Sequence, residues 1–215
     1  MAKFLAVLDV DSTLIENEVI ELLAAEAGSL TEVERITTSA MNGELDFEFS
    51  LRARVATLAG LPVSVFDKVG RQLVVTPGAI ELIGGIHAAG GCIGAVSGGF
   101  HELLDPLAEE LGLDYARANR LTILDGLLTG ELTGPIIDAS AKAMTLREWA
   151  ADCGVPLGQT VAVGDGANDL EMMAITGLSV AFDAKAPVRD RADLIMDVRD
   201  LAQLLPLLGI RRSTP

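Results

Sequence analysis

The sequence predicts an α/β fold: a doubly wound parallel sheet with a helical-bundle cap inserted after the first strand. Two observations predict it. From about residue 76 onward, short apolar runs alternate with stretches of helical periodicity, the pattern of parallel strands joined by crossover helices. Between the first apolar run and the second, the chain carries helical periodicity only, so the alternation is interrupted once. The expected division is a core of residues 1–15 and 76–215 and a helical cap of residues 16–75, joined to the core near residues 14–17 and 74–77.

Each element follows in chain order. Phe4-Leu5-Ala6-Val7-Leu8 reads as a short buried strand. "EVIELLAAEAG" has apolar residues at helical spacing and stops at Gly28. "TEVERITTSAMNG" offers Thr31 as an N-cap with Glu34 three residues on, a capping-box pattern. "DFEFSLRARVATLAG" and "PVSVFDKVGRQL" complete four helices. "PGAIELIGGIHAAG" is a helix, "GCIGAVSGG" a buried strand ending in small residues, and "HELLDPLAEELG" a helix. "RLTILDGLLTGELTG" alternates around Asp125-Gly126, a hairpin signal. "SAKAMTLREWAADCG" is a helix, "TVAVGDG" a strand and "NDLEMMAITG" a helix. "LSVAFD" and "DLIMDV" are short strands, and "RDLAQLLPLLG" is a closing helix.

Bulk properties narrow the function. The chain has 215 residues, half of them hydrophobic, enough for one sizeable core and a smaller insertion. Its formal net charge of −15 argues against nucleic acid, which needs a basic footprint, and against anionic membrane surfaces. No apolar run approaches the roughly 20 residues of a membrane span, and Asp9 interrupts the first apolar run before a signal sequence could form. Cys92 and Cys153 lack a CxxC spacing and read as inert thiols in a reducing, cytoplasmic setting.

Three predicted strand ends carry chemical groups. Asp9-Val10-Asp11-Ser12-Thr13 follows the first strand, and residues two apart in extended chain point the same way. Ser97-Gly98-Gly99 ends the second. Gly164-Asp165-Gly166-Ala167-Asn168-Asp169 follows "TVAV". In doubly wound sheets the site lies outside the carboxyl ends of the strands, so the three can meet. Asp9, Asp11, Asp165 and Asp169 would then repel one another without a cation, and a hard divalent ion, Mg²⁺ where phosphate is also present, resolves this. The Ser97 hydroxyl and the N–H groups of Gly98 and Gly99, opening a helix, would suit a phosphate. Lys142, one of four lysines, adds a positive charge near the start of its helix. Alone, a DxD is often a surface loop, an SGG a turn and a helical lysine solvated. The motifs inform by conjunction.

This ordered set, "DVDST", "SGG", Lys142 and "GDGAND", resembles the haloacid dehalogenase superfamily. "DVDSTLIENEVIELLA", "GDGANDLEMM" and, in the cap, "NGELDFEFSLRARV" extend the resemblance over nearly the whole chain. It implies a haloacid dehalogenase-like core and a Mg²⁺-dependent hydrolysis of O-phospho-L-serine, the last step of serine synthesis. Asp9 would be the nucleophile, forming an aspartyl-phosphate, and Asp11 the general acid and then base. Asp9, the Asp11 backbone carbonyl and Asp165 would hold Mg²⁺, with Asp169 in support. Ser97, Gly98, Lys142 and Asn168 would hold the phosphoryl group. Glu18, Phe47 and Arg54 would meet the amino-acid part of the substrate. Arg52 is the rival of Arg54, but residues two apart on a helix do not share a face.

The resemblance has limits. "FDAKAPVRDRAD" departs from the family's usual pattern and is expected to touch no catalytic role. With the first strand beginning at about residue 4, no amino-terminal sensing domain is expected. The partner is a small phosphomonoester, and monomer and homodimer stay open. Two alternatives remain beside the main reading. One is another small substrate such as phosphohomoserine or phosphothreonine. The other is a phospho-accepting receiver module, which the DxD on strand one and the helical insertion disfavour.

Overall fold

The computed structural model describes residues 2–41 and 44–211; Asn42 and Gly43, which open the quoted "NGELDFEFSLRARV" stretch, lie outside the described residues. Seven strands form one sheet: β1 (Leu5–Leu8), β2 (Cys92–Phe100), β3 (Tyr115–Leu124), β4 (Leu127–Thr133), β5 (Thr160–Gly164), β6 (Leu178–Phe182) and β7 (Leu194–Met196). Their order is β4-β3-β2-β1-β5-β6-β7, parallel throughout except for the antiparallel β3–β4 hairpin. β1 is central: Leu5 is in register with Cys92 on one side and Thr160 on the other. Chain order reverses direction across β1, which places the crevice at its carboxyl end.

The apolar strands are continuous rather than alternating because both faces are covered. Ala6 and Leu8 of β1 face one core with Leu23, Leu82, Ile86 and Leu104; these come from α1 (Val19–Ala27), α5 (Ala79–Ala88) and α6 (His101–Leu111). Leu5 and Val7 face the other, with Leu146 and Trp149 of α7 (Ala139–Cys153) and Met172 and Met173 of α8 (Leu170–Met173). Among the described residues no helix is long and apolar enough to cross a membrane.

Between β1 and α5 the described residues form four helices, the insertion: α1, α2 (Leu30–Met41), α3 (Phe47–Ala56) and α4 (Val65–Gly70). Gly28 closes α1 in the left-handed conformation (φ 69°), its N–H turned back to Ala24 and Ala25. The chain re-enters helix at once: the Ser29 carbonyl accepts from the N–H groups of Glu32 and Val33 (3.0 and 3.1 Å). Ser29 therefore holds the cap position expected of Thr31, because Gly28 leaves no linker between the two helices. Asp46 caps α3, accepting from the Phe49 N–H at 2.9 Å.

The insertion has more than its two chain connections. The Gly60 N–H donates to the Leu128 carbonyl and the Leu128 N–H to that of Leu61, both at 2.8 Å, and the Val63 N–H donates to the Gly126 carbonyl at 3.0 Å. The segment after α3 is thus bonded to the β3–β4 hairpin. Gly130 allows the approach: it has φ 83°, and a β-carbon there would stand 3.1 Å from the Ala56 carbonyl oxygen.

Three further expectations are corrected. β3 begins at Tyr115 and runs parallel to β2 before it turns into the hairpin, a stretch too polar to read as a buried strand. β2 continues to Phe100, so Gly98 and Gly99 do not open α6, which starts at His101. The closing segment is a tight turn over Leu201–Gln203 followed by one helical turn over Leu204–Leu207.

Candidate active site

The expected strand ends converge. Asp9 ends β1 in extended conformation, and its N–H donates to the Val163 carbonyl at 2.8 Å. The chain then makes a wide irregular turn over Val10–Leu14, closed by the Ile15 N–H on the Val10 carbonyl (3.0 Å). A cavity of about 160 Å³ opens there. Asp9, Asp11, Gly98, Gly99, Asp165, Gly166 and Asn168 line it from the strand ends, and Glu18, Phe47, Leu51 and Arg54 from the insertion.

Asp9, Asp165 and Asp169 bring carboxylate oxygens within 4.8 Å of one another. The wholly buried Lys142, in the first turn of α7, bonds Asp9 Oδ1 and also Asp169 Oδ1, the latter at 2.8 Å. One ammonium thus faces three carboxylates. Burial alone would lower the Lys142 pKa, but Asp169 and Asp9 outweigh it and hold the ammonium charged well above its ordinary range. Asp9 is raised by burial and by the Asp169 and Asp165 charges, with Lys142 pulling against. Asp165 is pushed up to about 6, first by burial and then by Asp169 and Glu18. Gly164 is required here, since a β-carbon would fall 2.2 Å from Asp169 Oδ2. This donor set fits a hard divalent cation: oxygen ligands only, from the segments after β1 and β5, with more negative charge than Lys142 neutralises.

Asp11 faces elsewhere. Its Oδ1 accepts from the Val19 N–H at the start of α1 (2.7 Å) and its Oδ2 from the Ser97 hydroxyl (3.0 Å). Its carboxylate is therefore not one of the three-carboxylate group. Burial and then the Glu18 charge raise its pKa to about 6. Ser97 Oγ also accepts the Gly99 N–H at 2.7 Å, so that N–H is already engaged. A β-carbon on Gly99 would lie 2.9 Å from Asp11 Oδ2.

On the insertion side, Glu18 Oε1 accepts from the Ser12 hydroxyl at 2.7 Å. Phe47 packs over Gly98, its Cζ 3.2 Å from where a β-carbon would stand. Arg54 faces the cavity, with Nε donating to the Ser50 carbonyl (3.2 Å), and burial lowers its pKa while Glu18 pulls it back. Arg52 pairs with Glu48 at 2.7 Å outside the cavity.

Three side chains escaped the sequence reading. Lys185 lines the cavity, although it belongs to the "FDAKAPVRDRAD" stretch expected to stay clear of the site. The reason is topological: β6 is a fourth strand ending at the same edge, and Lys185 follows it, its N–H on the Asp165 carbonyl (3.2 Å). Arg199 donates to the Ser12 carbonyl (3.1 Å) and to Asp183 (2.9 Å). It steadies Ser12, which has φ 59°, a strained value for a residue with a side chain. Asn119, buried, donates to the Gly98 carbonyl and accepts the Ile137 N–H (2.8 and 2.9 Å). Only the strand-end rule applied to "LSVAFD" could have found Lys185; nothing local marks Arg199 or Asn119.

Two carboxylates after the first strand, a buried lysine and an acidic loop after the fifth define a class, and the family comparison agrees. The chain belongs to the haloacid dehalogenase-like hydrolases, whose family model matches residues 6–174. Among relatives, the phosphoserine phosphatase of Streptomyces coelicolor is 56% identical over 212 residues, 99% of this chain and 52% of that protein. The phosphoserine phosphatase of Streptococcus thermophilus is 49% identical over 206 residues, 96% of each chain. A solved phospho-aspartyl intermediate analogue of phosphoserine phosphatase superposes with a TM-score of 0.91 at 43% identity, covering 97% of this chain and 100% of that one. The chain spans about half the length of the Streptomyces relative.

Proposed function

We propose that the protein hydrolyses O-phospho-L-serine to L-serine and phosphate through an aspartyl-phosphate, with Mg²⁺ bound, as the last step of serine synthesis in the cytoplasm. The observation that carries this is the unequal company of two carboxylates from one strand end. Asp9 faces Lys142 and the acidic cluster. Asp11 is turned toward α1 and Ser97 and titrates near neutrality, at about 6. This difference in surroundings supports one as nucleophile and the other as proton carrier. The names of the relatives support the substrate.

In this reading an Asp9 oxygen forms the bond to phosphorus as the bond to the serine oxygen breaks. Asp11 gives its proton to that departing oxygen. Asp11 then takes a proton from water as the water oxygen attacks phosphorus and releases Asp9. Ser97, Gly98, Lys142 and Asn168 hold the phosphoryl group. Asp9, the Asp11 carbonyl and Asp165 would hold Mg²⁺, with Asp169 behind them; when bound it supplies charge neutralisation for the phosphoryl oxygens. Glu18 meets the substrate ammonium, Arg54 its carboxylate, and Phe47 covers it. Residues 16–75 act as a cap over the core of 1–15 and 76–215.

Two expected results test this. Chelator should abolish phosphate release, and Mg²⁺ should raise the melting temperature, because it binds the native cluster and not the unfolded chain. Full activity in excess chelator would overturn the metal assignment. Arg54→Ala should lower kcat/KM for phosphoserine by at least about thirtyfold and barely affect p-nitrophenyl phosphate, which has no carboxylate; a desolvated charged contact is worth roughly 2–5 kcal/mol. Arg52→Ala, outside the cavity, should be mild for both. Equal losses on both substrates from Arg54→Ala would reassign Arg54 to the phosphate or to structure.

A further inference from the structure

Two cations, Arg54 and Lys185, line the cavity, and a third, Lys142, lies buried behind Asp9. Lys142 is buried and bonded to two carboxylates. Arg54 sits on the insertion side. Lys185 is exposed on the core side and, among the described residues, has no ion pair and no side-chain hydrogen bond. Its charge acts on Asp165 from a distance, but no carboxylate holds its ammonium in a direct contact, so that ammonium is available to an anion entering the cavity. We infer that Lys185 is a phosphate-binding residue: its ammonium meets the phosphoryl oxygens of the incoming ester and of the released phosphate. The inference rests on the phosphomonoesterase reading above and adds a contact to it.

Position selects the phosphoryl end. The Lys185 backbone is tied to the Asp165 carbonyl, so the side chain starts beside the acidic cluster, whereas Arg54 enters the cavity from α3. Its flexible stem lets it meet a dianion at the mouth and follow it inward. The need is electrostatic: a negatively charged protein repels a phosphate dianion, and a cation at the mouth offsets this over about a Debye length. Lys142 cannot serve there, being wholly buried.

The test compares Lys185→Ala and Lys185→Arg with the unaltered protein at saturating Mg²⁺. It measures inhibition of p-nitrophenyl phosphate turnover by inorganic phosphate, and kcat/KM for p-nitrophenyl phosphate and phosphoserine. Lys185→Ala should raise the phosphate inhibition constant about tenfold and lower both kcat/KM values about tenfold, more at low salt than at high, with Lys185→Arg recovering most of the loss. An unchanged phosphate inhibition constant would overturn the inference. So would a loss confined to phosphoserine, which would place Lys185 at the amino-acid end. A lowered Mg²⁺ requirement with the phosphate inhibition constant unchanged would make Lys185 only a counter-charge to Asp165 and would likewise overturn it. If phosphoserine proved no substrate, the substrate reading would fail while the inorganic phosphate measurement still judged Lys185.

Discussion

Asp9→Asn should abolish phosphate release, by at least about ten-thousandfold, and leave a folded protein. The amide keeps the shape of the side chain and removes the carboxylate oxygen proposed as the nucleophile. Its effect on stability follows from the crowd around it. Asp9 is one of a cluster of three carboxylates, two of them bonded to Lys142, and burial and its neighbours already disfavour its charge. Without Asp9, Lys142 still has Asp169 at 2.8 Å. In chelator the variant should therefore melt no lower than the unaltered protein. Acid-quenched labelling with radioactive substrate should mark Asp9 in the unaltered protein and nothing in the variant. Label on a serine or histidine would refute the aspartyl-phosphate.

Lys142→Met should have the largest effect on stability. It removes the only ammonium bonded to Asp9 and Asp169 among the described residues and leaves two buried carboxylates without it. Breaking one partner out of a buried ion pair costs about 3–5 kcal/mol. For a chain of this size that corresponds to a fall of roughly 6–20 °C in melting temperature, measured in chelator. Activity should vanish with it. The double variant with Asp9→Asn should regain part of the loss, because one of the stranded charges is then gone. An unchanged melting temperature for Lys142→Met, or no recovery in the double variant, would show that the triad is not the source of the stability.

Much of this was legible in the chain because it is written locally. Strands buried on both faces give unbroken apolar runs, as in Leu5–Leu8 and Thr160–Gly164. Helix ends give glycines such as Gly28. The doubly wound order then brings Asp9, Ser97 and Asp165 to one edge without further information. What failed was decided by distant partners. The Arg199 contact with Ser12 spans 187 residues of sequence. After an irregular step over Ser97–Gly99, β2 regains its register with β3 at Phe100, opposite Asn119, and nothing in "SGG" itself announces that distant partner. Lys185 was overlooked because its segment departs from the familiar pattern, although the strand-end rule applies to β6 as it does to β1, β2 and β5.

The bonds between the insertion and the β3–β4 hairpin bear on how such proteins can be recombined. A helical block held only by its two chain junctions could be exchanged between relatives as a cassette. Here the Gly60–Val63 segment shares three backbone hydrogen bonds with Gly126 and Leu128. A transplanted block arriving without a matching hairpin would leave those donors and acceptors unpaired, at about 1–3 kcal/mol for each one buried. The recipient would also need glycine at position 130, where a β-carbon meets the end of α3. The unit of exchange is therefore discontinuous in sequence: the helical block from α1 to α4 together with the hairpin tip around residues 126–130.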